Sequence, residues 1–338
     1  DQEQLPPFNF EALEDLLGDP ARVRTALTGG GRFAPGLVDR SIASEDAAAF
    51  RADCALWRSM VRFFAELFRR CAESDRGGVT LARRLDTQHR MHPHIAELVS
   101  RCFYGGHLQT DGKRAEEFLA EDPPFQPLDW LGPERIVFLD LPWVQAEKGA
   151  TGERGGADGH RRYSNPAEME ALCLALGDLR ARPGVRCELQ VLTPYHAQRR
   201  LLVDTLRERI ADGRLANLDA PEFALKESDL GMTVDSFQGG EADVVLASLV
   251  RNNDAPRGRG TGIVAQSHRL NVMLSRARHK LVVVGSWAFL ENRFEPGSPP
   301  DPEDPLWHLH QFLDEFAQLE DAGKARRIPL DIRGRPRT

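Results

Sequence analysis

The sequence predicts an α/β protein built on a parallel sheet that is flanked by helices. From residue 79 onward, short apolar runs alternate with segments whose apolar residues recur at helical spacing. A buried parallel strand is apolar along most of its length, and a helix commonly connects it to the next strand. An apolar share of 41% in a chain of 338 residues is ample for such a packed core.

The predicted elements follow each other along the chain. The apolar runs are Ile136–Leu141, Leu189–Thr193, Thr233–Val234, Val244–Val250 and Leu281–Gly285. The helical patterns are Pro166–Leu179, His196–Ile210 and Ser267–Arg278. In sheets of this kind the working residues lie in loops at the carboxyl ends of the strands. Two glycine-rich charged segments, 148–160 and 253–262, are predicted to be exposed loops.

The two ends of the chain have a different texture. Residues 1–78 are predicted to be mostly helical. The run Gly29–Gly31 lacks the Lys-Ser or Lys-Thr of a phosphate-binding P-loop, so we interpret it as a flexible loop. After residue 295, one amphipathic helix is expected around Leu306–Leu319. The basic residues of Arg326–Arg337 are then expected to form a solvated terminus, with phosphate contact as the alternative.

Charge and cysteine content exclude several classes of protein. A formal net charge of -7 argues against a chain that binds polyanions over its whole surface. Nucleic-acid contact would need a local basic groove or oriented backbone amides. The five cysteines are odd in number and include no Cys-x-x-Cys pair, which disfavours a disulfide scaffold and a zinc ribbon. We therefore expect a reducing, cytoplasmic compartment, without a membrane span or signal peptide.

Five stretches stand out along the chain, and their order matters more than any one of them. The first is Asp1–Pro7, DQEQLPP, and the second is Asp86–Pro93, DTQHRMHP. The third, VLTPYHAQ at 191–198, runs from an apolar strand into a helix. The fourth is Thr233–Glu241, TVDSFQGGE, and the fifth is Arg269–Arg278, RLNVMLSRAR.

Elementary chemistry gives two of these stretches a role with anions. Arg90 carries a guanidinium, which forks onto phosphate oxygens and stays charged at any working pH. Thr193 offers a hydroxyl at a helix start, where free N–H groups form an anion site. Helix capping is the competing interpretation for Thr193, and a solvated surface acid is the competing one for Glu241. We do not interpret His89 or His92 as metal ligands, and we predict no metal site.

The order of the five stretches resembles the motifs of superfamily-one helicases, in the branch that includes the nonsense-mediated-decay helicases and senataxin. The resemblance implies a RecA-like P-loop NTPase fold, with the second RecA-like domain in this chain. In the family, the residue that matches Gln4 senses the terminal phosphate of ATP, and the one that matches Arg90 contacts it. The residues that match Thr193, Pro194 and Tyr195 hold a phosphate of the nucleic acid.

The fourth stretch resembles motif V of that family. The resemblance assigns Thr233 and Ser236 to the nucleic-acid strand that the enzyme tracks. It assigns Gln238, Gly239 and Glu241 to the nucleotide. One motif would thus contact both ligands, as mechanical coupling requires. The residue after Gly239 is often basic in relatives and is glycine here, which departs from the family pattern.

The fifth stretch resembles motif VI. The resemblance makes Arg276 the arginine finger, which stabilises charge on the transferring phosphoryl group. For Arg278 two interpretations stay open, a second nucleotide contact or a structural strut. A weaker similarity to a family segment lies at Tyr163–Glu168, to which we assign helix capping and no catalytic role. The spacing from Ser164 to Glu168 is one residue too long for a capping box.

The resemblance also divides the chain into parts. Residues 1–78 would hold the end of the first RecA-like domain and a helical insertion, 79–295 the second RecA-like helicase domain, and 296–338 a helical tail. No GxxxxGK[S/T] string occurs, so the P-loop and the ligands of Mg²⁺ in the implied Mg-ATP cofactor are expected outside this chain. We therefore expect a fragment of a longer protein that alone binds ATP poorly and does not hydrolyse it.

These residues predict one half of an ATP-dependent helicase that acts on single-stranded DNA or RNA together with a missing N-terminal RecA-like domain. A non-hydrolysing nucleic-acid-binding or regulatory module derived from a helicase is the alternative. An upstream P-loop and a DE-type acidic motif would favour the helicase. A helicase–nuclease fusion is a third possibility, although the chain contains no convincing cluster of nuclease carboxylates and lysines.

Overall fold

The computed structural model describes residues 16–28, 47–61, 63, 75–76, 79–80, 86–147, 152–153, 163–223, 231–257, 259–297, 300–302 and 304–337. The chain divides into two compact units, residues 1–84 and 85–338. The predicted phosphate sensor Gln4 and the run Gly29–Gly31 lie outside the described residues.

The described part of the first unit is mainly helical, as the sequence predicted. Its elements are α1 (Pro20–Thr28), α2 (Ala47–Val61) and an antiparallel pair, β1 (Asp75–Arg76) and β2 (Val79–Thr80). Asp19 begins α1, because its Oδ1 accepts hydrogen bonds from the backbone N–H groups of Ala21 and Arg22 at 3.1 and 3.2 Å. A small buried core joins the two helices and consists of Leu17, Val23, Phe50 and Cys54.

The second unit is built on a six-stranded sheet in which every strand is parallel to its neighbours. A separate two-stranded pair, β3 (Thr87–Gln88) and β4 (Gln109–Thr110), is also parallel. The sheet strands are β5 (Ile136–Asp140), β6 (Leu189–Thr193), β7 (Met232–Thr233), β8 (Ala242–Ser248), β9 (Ala277–Gly285) and β10 (Ala325–Pro329). Their spatial order is β10-β5-β9-β8-β6-β7. The predicted parallel sheet is confirmed.

Helices connect and flank these strands. They are α3 (Pro93–Phe103), α4 (Gly112–Ala120), α5 (Pro166–Asp178), α6 (His196–Ala211), α7 (Ser267–Leu274), α8 (Trp287–Glu291) and α9 (Trp307–Asp321). Proline occupies the first position of α3 and α5, where its missing N–H costs nothing. The side chain of Asn165 caps α5 by accepting hydrogen bonds from Ala167 N and Glu168 N. Asn165 and Glu168 therefore have the capping-box spacing that Ser164 and Glu168 lack.

Alternate residues of β5 pack on opposite faces of the sheet. Val137 and Leu139 belong to the main core cluster, together with apolar residues of α5 and α6. Phe138, between them, lies with its ring centroid 6.2 and 6.0 Å from those of Phe312 and Phe316 in α9. Because successive side chains of a strand point to opposite faces, helices cover both sides of the sheet. Each such buried side chain stabilises the fold by about 1.5–3 kcal/mol.

The C-terminal residues differ from the sequence prediction. The predicted helix is present as α9, but the basic stub is not only a solvated terminus. Residues Ala325–Pro329 form β10, an edge strand whose register pairs Ala325 with Ile136 and Pro329 with Asp140. Ala325 and Ile328 are buried while Arg326 is exposed. A short edge strand with basic residues facing solvent lacks the continuous apolar run that marks a central strand.

Candidate functional site

A tight loop after β3 presents Arg90. The side chain of Gln88 holds this loop, because its Oε1 accepts hydrogen bonds from Arg90 N at 2.8 Å and Met91 N at 2.7 Å. Its Nε2 donates to Met91 O at 2.9 Å and to Thr110 Oγ1 at 2.5 Å. His92 then caps α3 by accepting a hydrogen bond from His94 N. The loop therefore has a fixed shape from which the Arg90 side chain projects.

Arg90 forms an ion pair with the predicted nucleotide residue Glu241. Arg90 Nε donates to Glu241 Oε2 at 2.8 Å, and Arg90 Nη1 donates to the carbonyl of Ser275 at 3.3 Å. Partial burial raises the pKa of Glu241, but hydrogen bonds from Arg90 and Arg278 outweigh that effect and lower it below its ordinary value. Glu241 is therefore a carboxylate at neutral pH, shared between two arginines.

Arg278 binds three carboxylates at once. It donates to Glu188 at 2.6 Å, to Asp243 at 2.9 Å and to Glu241 at 3.1 Å. Its side chain is 22% exposed. Burial lowers the pKa of Arg278, but the hydrogen bonds with Asp243 and Glu188 raise it by more than burial lowers it. The net shift of the pKa is therefore upward. Arg278 is therefore held in place by three carboxylates.

An irregular register between β8 and β9 positions these groups. Ala242 pairs with Ala277, but Val244 pairs with Lys280, so Arg278 and His279 together face the single residue Asp243. An extra residue in one strand is a β-bulge, which bends the strand and redirects a side chain. The predicted helix to Arg278 ends earlier, at Leu274, because residues from Ala277 onward pair with β8.

An open pocket of about 570 Å³ lies over this cluster and is lined by His89, Arg90, Arg114, Glu241, Asp243, Arg278 and His279. Arg114 also donates to the carbonyl of His89 at 3.3 Å and lies over the ring of Phe118. Three guanidinium groups beside one opening suit the oxygens of a phosphate chain, because each offers several donors in a planar fork.

Arg276 is buried and does not line this pocket. It is 1% exposed. Its Nε donates to Val272 O at 3.0 Å and its Nη1 to Gly240 O at 3.2 Å. Burial, together with the nearby charge of Arg90, lowers its pKa to about 10. The predicted arginine finger is thus next to Arg90 and Glu241, with its guanidinium turned toward backbone carbonyls.

The glycine pair of the fourth stretch forms the turn that leads into β8. Gly239 has a φ of 86°, a left-handed conformation that favours glycine. A Cβ on Gly240 would lie 2.6 Å from the ring of Phe237, so a larger residue at this position would require that ring to move. Gln238 and Gly239 are exposed but do not line the pocket.

The residues predicted to bind a nucleic-acid strand come together where β6 and β7 end, at the carboxyl-terminal edge of the sheet. Thr193 and Thr233 end β6 and β7 and are directly paired. Thr193 Oγ1 accepts a hydrogen bond from Tyr195 N at 3.4 Å, and Thr193 is fully buried. Thr233 Oγ1 lies 2.8 Å from Ser236 Oγ. The Thr193 hydroxyl therefore shapes the Thr-Pro-Tyr turn at the start of α6.

The two groups of residues occupy opposite ends of the strands. Thr193 and Thr233 stand at carboxyl ends, as expected, whereas Glu241 precedes the amino end of β8 and Arg278 lies near the amino end of β9. A five-residue strand separates the two edges by about 13 Å at 3.3 Å per residue. Residues 234–241 therefore cross from one edge to the other, which explains how one motif reaches both places.

Sequence reasoning missed several residues that hold these sites together. Glu188 belongs to none of the five motif stretches, and its contact with Arg278 is seen only in the structure. Asp243 had a signal, the acidic residue two places after Glu241. Glu168 is fully buried and accepts hydrogen bonds from Ser248 Oγ at 2.6 Å and Val250 N at 2.9 Å. Burial raises the pKa of Glu168 to about 8, against the effect of those two hydrogen bonds.

No group of three or more His, Cys, Asp or Glu side chains in the described part of the chain is placed to hold a metal ion. No described helix has the length and apolar character that a membrane crossing requires.

A family model described as an AAA domain matches residues 64–288. The chain is 30% identical over 253 residues, 72% of its length, to a regulator of nonsense transcripts 1 homolog of Neurospora crassa. It is 31% identical over 226 residues to the probable helicase MAGATAMA 3 of Arabidopsis thaliana. It is 30% identical over 250 residues to the putative ATP-dependent RNA helicase ECM32 of Saccharomyces cerevisiae.

The chain spans about a fifth of the length of these relatives, with 21%, 23% and 20% of each covered. Its parallel six-stranded sheet flanked by helices is that of a RecA-like domain. The matched family region contains four of the five motif stretches, from Asp86 to Arg278. The chain therefore belongs to this AAA domain family, among the superfamily-one helicases related to the regulators of nonsense transcripts.

Proposed function

We propose that this chain is the second RecA-like domain of an ATP-dependent nucleic-acid helicase. In this proposal it completes an ATP site whose P-loop belongs to a first RecA-like domain of the same protein, and it supplies part of a single-strand binding groove. The relatives named as helicases support a helicase-related function. The carrying observation is the cluster of Arg90, Glu241 and Arg278 beside an open pocket.

Arg90 is suited to a terminal phosphate because its partner can be exchanged. Its side chain is 30% exposed, and its ion pair with Glu241 is at the pocket surface. A phosphate accepts two parallel hydrogen bonds from a guanidinium and carries more charge than a carboxylate. When Arg90 turns to the phosphate, Arg278 keeps Glu241 in place. Glu241, Gln238 and Gly239 then contact the rest of the nucleotide.

Arg276 is proposed as the arginine finger. Its guanidinium is buried, and the lowering of its pKa to about 10 reflects that burial and the charge of Arg90. The negative charge of an incoming phosphate would stabilise the charged forms of Arg276 and Arg90. The side chain must then leave the carbonyls of Val272 and Gly240 and turn toward the pocket. Charge stabilisation by such a group is worth about 10³ to 10⁵ in rate.

The proposed cofactor is ATP with Mg²⁺, which neutralises charge on the transferring phosphoryl group. The guanidinium groups of Arg90, Arg114 and Arg278 fit phosphate oxygens, and the proposal assigns the metal ligands to the first RecA-like domain. We expect the isolated chain to bind ATP poorly and not to hydrolyse it, because P-loop amides and lysine supply most of the phosphate-binding surface.

The proposed strand-binding edge comprises Thr193, Pro194, Tyr195, Thr233 and Ser236. The N-terminus of α6 offers backbone N–H groups to a phosphate of single-stranded DNA or RNA. Contacts of this kind carry no base sequence. The four cysteines in the described residues are free and buried, which suits the cytoplasmic location that we propose.

The decisive experiment is Arg276→Ala in the intact protein that contains this chain. We expect strand-stimulated ATP hydrolysis to fall by about 10³ or more while the affinity for single strands is kept. The matched variant Thr193→Ala should keep the basal hydrolysis rate and weaken strand binding, measured over a range of salt concentrations. Near-normal turnover of Arg276→Ala would remove the finger assignment. Strand binding by the wild type without any hydrolysis would favour the non-hydrolysing module.

A further inference from the structure

An exposed tyrosine ring is stacked on a buried tyrosine ring at the strand-binding edge. Tyr163 stacks on Tyr195 with ring centroids 4.9 Å apart and an interplanar angle of 22°. The guanidinium of Arg251 lies 5.1 Å from the centroid of the Tyr163 ring. Tyr195 in turn is fixed, because its hydroxyl accepts a hydrogen bond from Ile263 N at 3.0 Å.

Tyr163 is far more exposed to solvent than the two groups that contact its ring. Tyr195 is 9% exposed and Arg251 is 8% exposed, whereas Tyr163 is 40% exposed. Two oxygens hold Arg251 in place. Its Nε donates to Gly260 O at 2.6 Å and lies 3.0 Å from Glu153 Oε2. Both partners of the ring are therefore anchored in the interior, while Tyr163 itself keeps a solvent-exposed part.

The orientation of Tyr163 is set by its backbone and by the residues that follow it. Its φ is 62°, which bulky residues seldom adopt and which persists only where neighbouring contacts enforce it. Two residues later, Asn165 is fully buried, and its backbone N–H donates to Gln198 Oε1 at 2.8 Å. Gln198 lies in the first turn of α6, so the ring is tied to the helix start beside Thr193.

We propose that Tyr163 is a base-stacking residue, on which one nucleobase of the bound single strand rests. This inference depends on the proposed strand-binding edge, since it places the base next to the phosphate site at the start of α6. A nucleobase fits the open ring because stacking needs only a flat π surface. The guanidinium of Arg251 near the ring polarises that surface.

The chemistry predicts how this contact behaves. Stacking of one base on an aromatic side chain changes affinity by about ten-fold or more. It is not ionic, so its loss should be the same at every salt concentration, unlike the loss of a phosphate contact. It also tolerates any base, which suits an enzyme that moves along a strand.

The test compares Tyr163→Asn and Tyr163→Phe in the intact protein, since asparagine tolerates a positive φ and phenylalanine keeps the ring. Val185→Ala is the control, because Val185 is exposed to the same degree, 39% against 40%. The probes are fluorescein-labelled single strands of adenine nucleotides and matching strands without bases, with anisotropy as the readout. Tyr163→Leu removes the π surface with little loss of apolar volume, and thermal melting checks that each variant is folded.

We expect Tyr163→Asn and Tyr163→Leu to weaken binding of the adenine strand by about ten-fold at every salt concentration. The strand without bases should bind all variants equally, and Tyr163→Phe and Val185→Ala should match the wild type. If the wild type binds the adenine strand and Tyr163→Asn binds it equally well, the stacking role is wrong while the strand-binding edge stands. If the wild type binds no strand, both proposals fail.

Discussion

At the scale of single residues, Arg278 stabilises the fold by binding three carboxylates at once, which a lysine at this position cannot do. A guanidinium donates in several directions at once, whereas an ammonium group is a compact point charge. Arg278→Lys leaves one or two of the carboxylates of Glu188, Glu241 and Asp243 without their donor, and Asp243 is largely buried. We expect the free energy of unfolding to fall by about 1–3 kcal/mol, measured by urea denaturation.

A matched control separates this effect from a general loss of arginine. Arg182 lies 3.6 Å from Asp122, whose side chain is 81% exposed. An exposed pair of this kind contributes little, so Arg182→Lys should leave the urea midpoint nearly unchanged. Equal losses in the two variants would show that Arg278 is not a strut.

His92 and His279 predict how stability depends on pH. Burial, aided by the charge of Arg135, lowers the pKa of His92 to about 3, and burial lowers that of His279 to about 4. Both side chains are therefore neutral in the folded protein, while in the unfolded chain they take up protons near pH 6.5. Their stabilising contribution is complete above that pH and is lost as the pH falls toward 4 and then 3.

The histidine prediction is tested with His92→Asn. Asparagine keeps a side-chain acceptor for the start of α3 but does not titrate. Between pH 6 and 4, the variant should lose stability less steeply than the wild type, by about 1.4 kcal/mol per pH unit. His107→Asn is the control, because His107 is exposed. Parallel stability–pH curves for the wild type and His92→Asn would contradict the assignment.

At the scale of elements, the sequence predicts the central strands and their helices closely. β6 has the predicted bounds, and α5 and α6 differ from prediction by one residue at their C-terminal ends. Continuous apolar runs and helical periodicity mark these elements because both faces of the sheet are covered. The start of β9 escaped prediction because Arg278, His279 and Lys280 are polar, and their place in a strand depends on pairing with β8.

The candidate site was predicted in its main residues but not in its connections. Motif strings single out Arg90, Glu241 and Arg276, since few chance sequences contain them. Their meeting depends on the order of strands in space, which no spacing along the chain reveals. Glu188 illustrates this limit, because it joins the site only as the residue that precedes β6 beside β8.

Strand β10 should contribute to the core as an element of the sheet. Ile328 is 7% exposed and belongs to the main core cluster, while Arg333 lies beyond the strand and is exposed. Ile328→Ala should lower the free energy of unfolding by about 2–4 kcal/mol, because it leaves a cavity against β5. Arg333→Ala should have almost no effect. A solvated terminus would instead make both variants neutral in urea denaturation.

At the scale of the whole second unit, residues 234–241 cross between two working edges of one sheet. The crossing begins beside Thr233 at the strand-binding edge and ends at Glu241 in the arginine cluster. Asp235, early in the crossing, forms a two-point ion pair with Arg269 at 3.0 and 3.2 Å. Arg269 belongs to α7, the helix that leads directly to Arg276. The proposed strand contact and the proposed finger are therefore joined by one ion pair.

This ion pair gives a prediction about coupling. Asp235→Asn in the intact protein weakens the link to Arg269 without altering a proposed contact to ATP or strand. We expect basal ATP hydrolysis and strand affinity to be kept, while the stimulation of hydrolysis by single strands falls by about two- to fivefold, the range for an exposed ion pair. Asp219→Asn is the control, because Asp219 is exposed and distant in sequence from both stretches. The measurement is the ratio of hydrolysis rates at saturating strand and without strand. An unchanged ratio in Asp235→Asn would mean that coupling between the two edges takes another route.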